Sequence, residues 1–299
     1  MTVPRWLGQF VKEFTILDIR TERDCLMNRG WRFVVVFVTV GWLAIGVLGF
    51  AEDAAWRAVF ATPEDLAGID QPIVCILTIQ HPEIIRRQLA DKPVEEYSGA
   101  KLRDRMQQLS GVRCVVVHFT EVQGQDLEHP HIKAILITGR SRVVSRELDA
   151  QFYPLIRETA IPLFGFCGGM QMISQAYSSA VVPMRSLREG EADPNPNYHP
   201  GRYKEWGFLP VQIVQRDPLF EGLPDEIVVR QAHAYQVQQV PDEFLLLAST
   251  AECTIQAIKH RQRLVYGTQF HPEVYDDQHP DGRTVVSNFF RLAGLARSD

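Results

Sequence analysis

The chain lacks the features that mark several common protein classes. Its five cysteines are scattered with no C-x-x-C pair, which argues against a zinc site or a dense disulfide framework. A net charge of -5 leaves no excess of basic residues, so nucleic acid is not expected as a partner. No internal repeat or low-complexity tract is present. The remaining composition, with 45% hydrophobic and 22% charged residues, is that of an ordinary globular protein.

Charge is also missing from one continuous stretch, residues 33–51. At about 1.5 Å per residue, a helix of this length can span a hydrocarbon core about 30 Å thick. Two arginines precede the stretch and two acidic residues follow it: Arg29, Arg32, Glu52 and Asp53. This asymmetry predicts that residues 1–32, a polar N-terminal segment, stay in the cytoplasm and that the chain after residue 51 crosses the membrane.

Three interpretations of residues 33–51 remain open. The stretch is an uncleaved transmembrane anchor, or a cleaved secretory signal, for which both Met1 and Met27 are candidate starts. Either one puts the following domain in the periplasm or outside the cell. The third is a buried core helix, which would leave the domain in the cytoplasm. It is disfavoured because Thr39 is the only residue that could form a polar face.

The rest of the chain divides into a predicted linker, residues 52–71, and one α/β domain, residues 72–299. Short β-rich runs alternate with amphipathic helical stretches, which predicts an open, mainly parallel sheet flanked by helices. The predicted strands are residues 73–79, 112–119, 134–137 and 162–166, and the predicted helices are 82–89, 95–109 and a stretch that follows Ser145. Residues 189–204 form a long irregular stretch, either a lid or a disordered insert.

The fourth predicted strand ends on Cys167 and is followed at once by Gly168 and Gly169. This order predicts a strand, a sharp turn and a helix, with small residues permitting strained torsions at the cysteine. The N-terminus of the following helix favours the thiolate form of the sulfur. The alternative is a buried structural cysteine.

A second motif ends a later predicted strand with His271, Pro272 and Glu273. A thiol needs a base to become a useful nucleophile, and imidazole titrates near neutral pH. A carboxylate that accepts from one ring nitrogen holds the other nitrogen toward the sulfur and stabilises the imidazolium. The pattern therefore predicts that a turn at Pro272 brings Glu273 onto His271.

The two motifs together, G-F-C-G-G-M-Q at 165–171 and G-T-Q-F-H-P-E at 267–273, resemble the class I (triad) glutamine amidotransferases over about residues 72–296. The resemblance implies a flavodoxin-like core, with Cys167 as nucleophile, His271 as general base and acid, and Glu273 as its orienting partner. It also implies glutamine or a γ-glutamyl compound as substrate, no metal or cofactor, and a separate synthase that accepts ammonia.

Other family positions match less closely. The resemblance implies oxyanion donors near the third strand and beside the nucleophile, and substrate contacts further along the chain. These positions are Gly139, Arg140, Gly168, Gln171, Ala234 and Tyr235. Arg140 stands where a second glycine is usual, and a positive φ there would strain an arginine.

These observations predict a cysteine-dependent amide hydrolase that releases ammonia and glutamate from glutamine through a γ-glutamyl thioester. Two alternatives remain. Export of the domain favours a hydrolase of γ-glutamyl peptides or conjugates acting outside the cytoplasm. Two departures from the family, Arg140 and an alanine at position 234 where a small polar residue is usual, favour a membrane-anchored binding or scaffold protein without catalysis.

Overall fold

The computed structural model describes residues 54–295. The polar segment 1–32 and the predicted membrane segment 33–51 lie outside the described residues, so both stay predictions. Within residues 54–295, no helix is both long and apolar enough to cross a bilayer.

Eleven strands form within the described range, nine in one large sheet and two in a small one. In chain order they are β1 (Ile73–Thr78), β2 (Arg113–His118), β3 (Ile132–Ile137), β4 (Leu163–Phe166), β5 (Val181–Pro183), β6 (Glu205–Ile213), β7 (Glu226–His233), β8 (Tyr235–Val237), β9 (Phe244–Ser249), β10 (Ala257–His260) and β11 (Val265–Thr268). The large sheet has the order β2-β1-β3-β4-β11-β10-β9-β6-β7, and β5 pairs with β8.

The large sheet is parallel in one half and antiparallel in the other. Strands β2, β1, β3, β4 and β11 pair in parallel, as the sequence predicts. The remaining pairings, from β11 through β10, β9 and β6 to β7, are antiparallel. The difference follows from the connections, because the later strands are joined by chain segments without a crossover helix. The burial pattern fits this division, because β1 in the parallel half is buried throughout, whereas β7 in the antiparallel half alternates between buried and more exposed residues.

Helices cover both faces of the parallel half. They are α1 (Pro63–Ala67), α2 (Pro82–Asp91), α3 (Ser98–Ser110), α4 (Arg146–Ala150), α5 (Tyr153–Glu158), α6 (Gly168–Ala176) and α7 (Asp281–Leu292), with short 3-10 turns at Val94–Glu96, Gly124–Leu127 and Pro218–Phe220. Side chains of α2, α3 and α7 pack on one face of the sheet, and those of α5 and α6 pack on the other. The two cores give the α/β layers that the sequence predicts.

The predicted linker is wrong for residues 54–70, which pack against the domain. Trp56 and Phe60 are buried, and their ring centroids are 4.4 Å apart. The main chain at Phe60 pairs with Val116 of β2. Two aromatic residues four positions apart lie on one face of a helical turn, which gives this Ala-rich stretch an apolar face to bury.

The helix predicted after Ser145 is instead two short helices, α4 and α5. Pro154 lies in the first turn of α5. Proline lacks the N–H that a continuous helix would require there, so it starts a helix more readily than it continues one. The predicted apolar face is still present, because Phe152, Leu155 and Ile156 are all buried.

Candidate active site

Cys167 lies at a sharp turn between β4 and α6. Its φ and ψ are 50° and −104°, a strained conformation for a residue with a side chain. The Cys167 N–H donates to the carbonyl of Thr268 on the neighbouring strand at 2.6 Å. Glycine is required beside it, because a Cβ at Gly169 would collide with the carbonyl oxygen of Ile137. The sequence prediction of a strand, a turn and a helix is therefore correct, and α6 begins immediately after the cysteine.

His271 and Glu273 lie at the end of β11, next to β4 in the sheet. The His271 Nδ1 and Glu273 Oε1 atoms are 2.7 Å apart, which makes Nδ1 the donor to the carboxylate. A Cβ at Gly139 would lie 2.7 Å from His271 Cε1 and 3.4 Å from Cys167 Cβ. The His271 ring and Cys167 therefore both lie next to this glycine. The structure thus brings the three predicted residues together.

The surroundings of His271 favour the charged form of its ring. Burial by itself would lower the pKa of His271, but the charges of Glu273 and Cys167 and hydrogen bonds to both raise the pKa well above 6.5. The Glu273 side chain is almost buried, and Arg105 donates to the main-chain carbonyl of Glu273 at 3.0 Å. A histidine cation beside a cysteine is the electrostatic setting of a reactive thiolate.

The loop after β3 carries the predicted oxyanion residues Gly139 and Arg140. The non-glycine residues with positive φ in the described range are Cys167, Ser178 and His199, so the expected strain at Arg140 is absent. A Cβ at Gly168 would lie 3.0 Å from the Arg140 main-chain nitrogen, so the two backbone positions adjoin. The Arg140 N–H has no acceptor among residues 54–295, and the first N–H of α6 has none within its helix.

The Arg140 side chain explains why arginine suits this loop. Its guanidinium donates to both carboxylate oxygens of Asp149 on α4, each at 2.6 Å. The Arg140 side chain is 5% exposed and that of Asp149 is 1% exposed. The bidentate pair ties the loop that carries the Arg140 N–H to a helix of the domain.

Gln171 and Tyr235 meet beside Cys167, as predicted. The Gln171 Nε2 donates to the Tyr235 carbonyl at 3.3 Å and to Gln269 Oε1 at 3.2 Å. Gln269, which sequence reasoning missed, donates from Nε2 to the Cys167 sulfur at 3.5 Å. Ala234 is fully buried and lines neither cavity described below, so the structure does not bring its side chain to the site.

Two cavities flank the cysteine and the histidine. The Cys167 cavity, about 400 Å³, is lined by Cys167, Gln171 and Tyr235 among others. The His271 cavity, about 520 Å³, is lined by His271 and Glu273 and by the N-terminal part of α3. Arg140, Ser141 and Tyr198 contribute to both walls. Cys167 and His271 therefore line two adjoining cavities that share part of their walls.

The irregular stretch 189–204 lies against these cavities, so the alternative of a disordered insert is wrong. Asp193 anchors it, accepting from the buried Lys204 ammonium at 2.6 Å and from the Gly201 N–H at 3.2 Å. His199 packs on Tyr235 with ring centroids 5.0 Å apart. Burial and the nearby charge of Cys167 raise the pKa of Tyr198. The stretch thus packs against the site, and its Tyr198 forms part of the walls of both cavities.

Glu205 and His233 form a buried pair. The His233 Nε2 and Glu205 Oε2 atoms are 2.9 Å apart, and the His233 Nδ1 lies 3.0 Å from the Tyr235 carbonyl. Both ring nitrogens therefore face oxygen acceptors. The pair fixes the main-chain carbonyl that Gln171 also contacts.

Cys253 lies close to this pair, and the donor atoms of Glu205, His233 and Cys253 fall within 4.8 Å of one another. The set does not suit a metal ion. Burial and the Glu205 charge raise the pKa of the Cys253 thiol, which opposes the thiolate that a metal requires. The carboxylate oxygens are already occupied, since Thr250 and Gln256 each donate to Glu205 at 2.5 Å.

An α/β sheet with a cysteine on a sharp strand-to-helix turn and a histidine–carboxylate pair on the next strand is the arrangement of cysteine-dependent acyl-transfer enzymes. The family model for glutamine amidotransferase class-I matches residues 99–293. The chain belongs to the class I glutamine amidotransferase family.

Individual relatives are similar to this chain over about half of its length. A glutamine-hydrolyzing GMP synthase subunit from Methanopyrus kandleri is 31% identical over 157 residues, which cover 52% of this chain and 69% of that protein. A glutamine-hydrolyzing GMP synthase from Syntrophomonas wolfei is 34% identical over 164 residues, 54% of this chain. That alignment spans only 28% of the Syntrophomonas protein.

Among solved structures, the fold resembles that of a protein from Thermoplasma acidophilum described as a putative GMP synthase subunit. The TM-score is 0.55 at 22% sequence identity, and the alignment covers 76% of this chain and 96% of the other. At this identity, the likeness concerns the fold.

Proposed function

We propose that this protein hydrolyses the side-chain amide of glutamine through a γ-glutamyl thioester on Cys167. The observation that carries the proposal is the placement of Cys167 at the strained turn beside a histidine whose Nδ1 is held by Glu273 at 2.7 Å. Glutamine hydrolysis is also the activity for which the relatives from Methanopyrus and Syntrophomonas are named.

In the first half of the reaction, the Cys167 sulfur attacks the amide carbon of the substrate. The N–H groups of Arg140 and Gly168 are the donors available to the developing oxyanion. The His271 imidazolium protonates the amide nitrogen, the carbon–nitrogen bond breaks, and ammonia leaves a thioester behind. His271 is then a neutral base.

In the second half, His271 takes a proton from a water molecule that attacks the thioester carbon. The carbon–sulfur bond breaks, and glutamate leaves. The imidazolium and the thiolate are restored. Throughout both steps Glu273 stabilises the charged ring without itself accepting the proton.

The α-amino and α-carboxylate groups of glutamine are assigned to the Cys167 cavity. Its walls supply the Gln171 amide and the main chain at Tyr235, both already hydrogen bonded to each other. A site built from fixed amide groups suits a small zwitterion, since each group is oriented before the substrate arrives.

The ammonia is proposed to pass to a separate synthase, because two relatives are named as one subunit of a GMP synthase. Membrane anchorage through residues 33–51, with the domain outside the cytoplasm, stays part of the proposal. Under that topology the acceptor must be located on the same side of the membrane. If the segment is a core helix, enzyme and acceptor are cytoplasmic.

Two alternatives compete with glutamine hydrolysis. A γ-glutamyl peptide or conjugate hydrolase uses the same triad, and the size of the His271 cavity favours it. A non-catalytic scaffold is disfavoured, because the departure at Arg140 is compensated by the pair with Asp149 and leaves no positive φ.

The test measures ammonia and glutamate released from glutamine by the full-length protein. Equal amounts of both products are expected. Cys167→Ser should lower turnover at least about a thousandfold. The matched control is Cys114→Ala, which changes a buried cysteine in the core beside α3 and should keep the wild-type rate. If the wild type releases no ammonia and Cys167 resists a glutamine-mimicking alkylating agent in a mass measurement, the proposed function is rejected.

A further inference from the structure

A substrate amide at this site extends into both cavities, with its acyl part on the Cys167 side and its amine part on the His271 side. The sulfur that receives the acyl group faces the Cys167 cavity, whereas the histidine that protonates the departing nitrogen lines the His271 cavity. General acid catalysis requires the acid to be within hydrogen-bond reach of the leaving atom. The amine must therefore depart on the His271 side.

The His271 cavity is much larger than the departure of ammonia requires. Ammonia is similar in size to water, which takes up roughly 30 Å³ in the liquid. The cavity measures about 520 Å³. Its walls also include the aromatic residues Tyr97 and Trp206. The space and its walls fit a group that remains attached to the amide nitrogen.

The charge of the cavity selects the kind of group. The charges of Arg140 and Glu273 are balanced by Asp149 and His271, respectively. Lys101 and Arg105 add two more positive charges, and neither has an ion-pair partner within residues 54–295.

Lys101 and Arg105 are also suitably arranged to act together. They stand four residues apart on α3, so they occupy one face of the helix. The Arg105 guanidinium is steadied by the Glu273 carbonyl at 3.0 Å and by the Tyr275 ring, whose centroid is 4.7 Å away. A pair of unmatched cations in a cavity attracts an anion.

We propose that the His271 cavity binds the amine half of γ-glutamyl amides, and that the preferred amine is an amino acid whose carboxylate is held by Lys101 and Arg105. The inference rests on the thioester chemistry proposed above. In the step concerned, the carbon–sulfur bond to Cys167 forms, the carbon–nitrogen bond breaks, and the His271 proton goes to the amino acid nitrogen. Water then releases glutamate, so the sum is one amide and one water giving glutamate and a free amino acid.

The test compares three substrates of the full-length protein: glutamine, γ-glutamylglycine, and γ-glutamyl methylamide, which has a small uncharged amine. The wild type should cleave γ-glutamylglycine with a kcat/KM roughly threefold to tenfold above that of the methylamide, the range for a partly exposed ion pair. Lys101→Ala should bring that ratio close to one. Arg103→Ala is the matched control, since Arg103 lies on the same helix but does not line the cavity, and it should keep the wild-type ratio.

A charge reversal gives a second and independent measurement. Lys101→Glu should favour a γ-glutamyl amide of ethylenediamine, whose free amine is cationic, over γ-glutamylglycine. The proposal is overturned if the wild type cleaves the glycine and methyl amides equally, or if Lys101→Ala lowers both alike. Hydrolysis of glutamine alone would also overturn it and leave the proposed glutaminase intact. Absence of turnover with all three substrates would reject the underlying thioester chemistry.

Discussion

The clamp between Arg140 and Asp149 allows a sharp prediction about the oxyanion site. Asp149→Asn keeps the size of the side chain but removes the charge that faces a guanidinium only 5% exposed. Removing one partner of a buried ion pair costs about 3–5 kcal/mol, because the remaining charge is left without compensation. The loop after β3 can relieve part of this cost only by moving the Arg140 side chain toward solvent. The main-chain N–H of Arg140, the proposed oxyanion donor, would then move as well.

The expected result is therefore a loss of both stability and turnover. The free energy of unfolding in urea should fall by about 3 kcal/mol or more. Loss of one oxyanion donor lowers kcat by about 10²–10³-fold. Glu147→Gln on the same helix is the matched control, since Glu147 is exposed and its replacement should change the unfolding free energy by less than about 0.5 kcal/mol.

A double variant separates the clamp from the main-chain donor that it holds. Arg140→Leu combined with Asp149→Leu replaces the buried pair by apolar side chains, an exchange that is often neutral or stabilising. Because the donor is a main-chain N–H, the double variant should recover much of the kcat that Asp149→Asn loses. The reasoning would be refuted by an Asp149→Asn protein that unfolds at the wild-type urea concentration and turns over glutamine at the wild-type rate.

Three other predictions concern the pH dependence, the packing of α6 and the glutamine pocket. Because folding raises the pKa of His271, its protonated ring contributes stability that is fully present below about pH 6.5 and is lost as pH rises through the folded pKa. The difference in unfolding free energy between wild type and His271→Gln, measured in urea titrations, should therefore shrink toward alkaline pH. A difference that stays constant with pH would contradict this. Gly169→Ala places a methyl group against the Ile137 carbonyl, so it should lower the free energy of unfolding by about 1–3 kcal/mol and Tm by several degrees. The control is Gly68→Ala, whose Cβ would meet nothing closer than 3.6 Å and which should leave Tm unchanged. Equal melting of the two variants would show that α6 yields to the methyl group. Glu205→Gln removes the carboxylate that faces the His233 Nε2 and so loosens the Tyr235 carbonyl that faces the other ring nitrogen. KM for glutamine, measured by ammonia release, should rise roughly tenfold with a smaller change in kcat. An unchanged KM would show that this pair does not support the glutamine pocket.

Much of the parallel half of the fold could be predicted from the sequence, because its strands are short and mostly apolar. The turn at Cys167 was predictable for a related reason: two glycines after a buried strand leave few conformations other than a strand-to-helix turn. His271 and Glu273 followed from the chemistry that a thiol nucleophile requires. Local sequence pattern and local chemistry are sufficient for these features.

The partners that hold the site could not be predicted in the same way. Asp149 reaches Arg140 across a loop, and Gln269 contacts the sulfur from a strand about a hundred residues later in the chain. Nothing in the sequence around Glu205 shows that its side chain is buried against His233. Each contact depends on which strands are neighbours in the sheet, and this is set by the whole topology.

The position of β11 between β4 and β10 also has a consequence for the timing of synthesis. Residue Val265 pairs with Leu163, made about a hundred residues earlier, and ribosomes add about 5–20 residues per second. For roughly 5–20 seconds, one edge of β4 has no partner strand, and such an open edge invites pairing with other chains. Under the proposed function, Cys167 is therefore synthesised well before His271, and the site is complete only when the last strand of the sheet enters the gap.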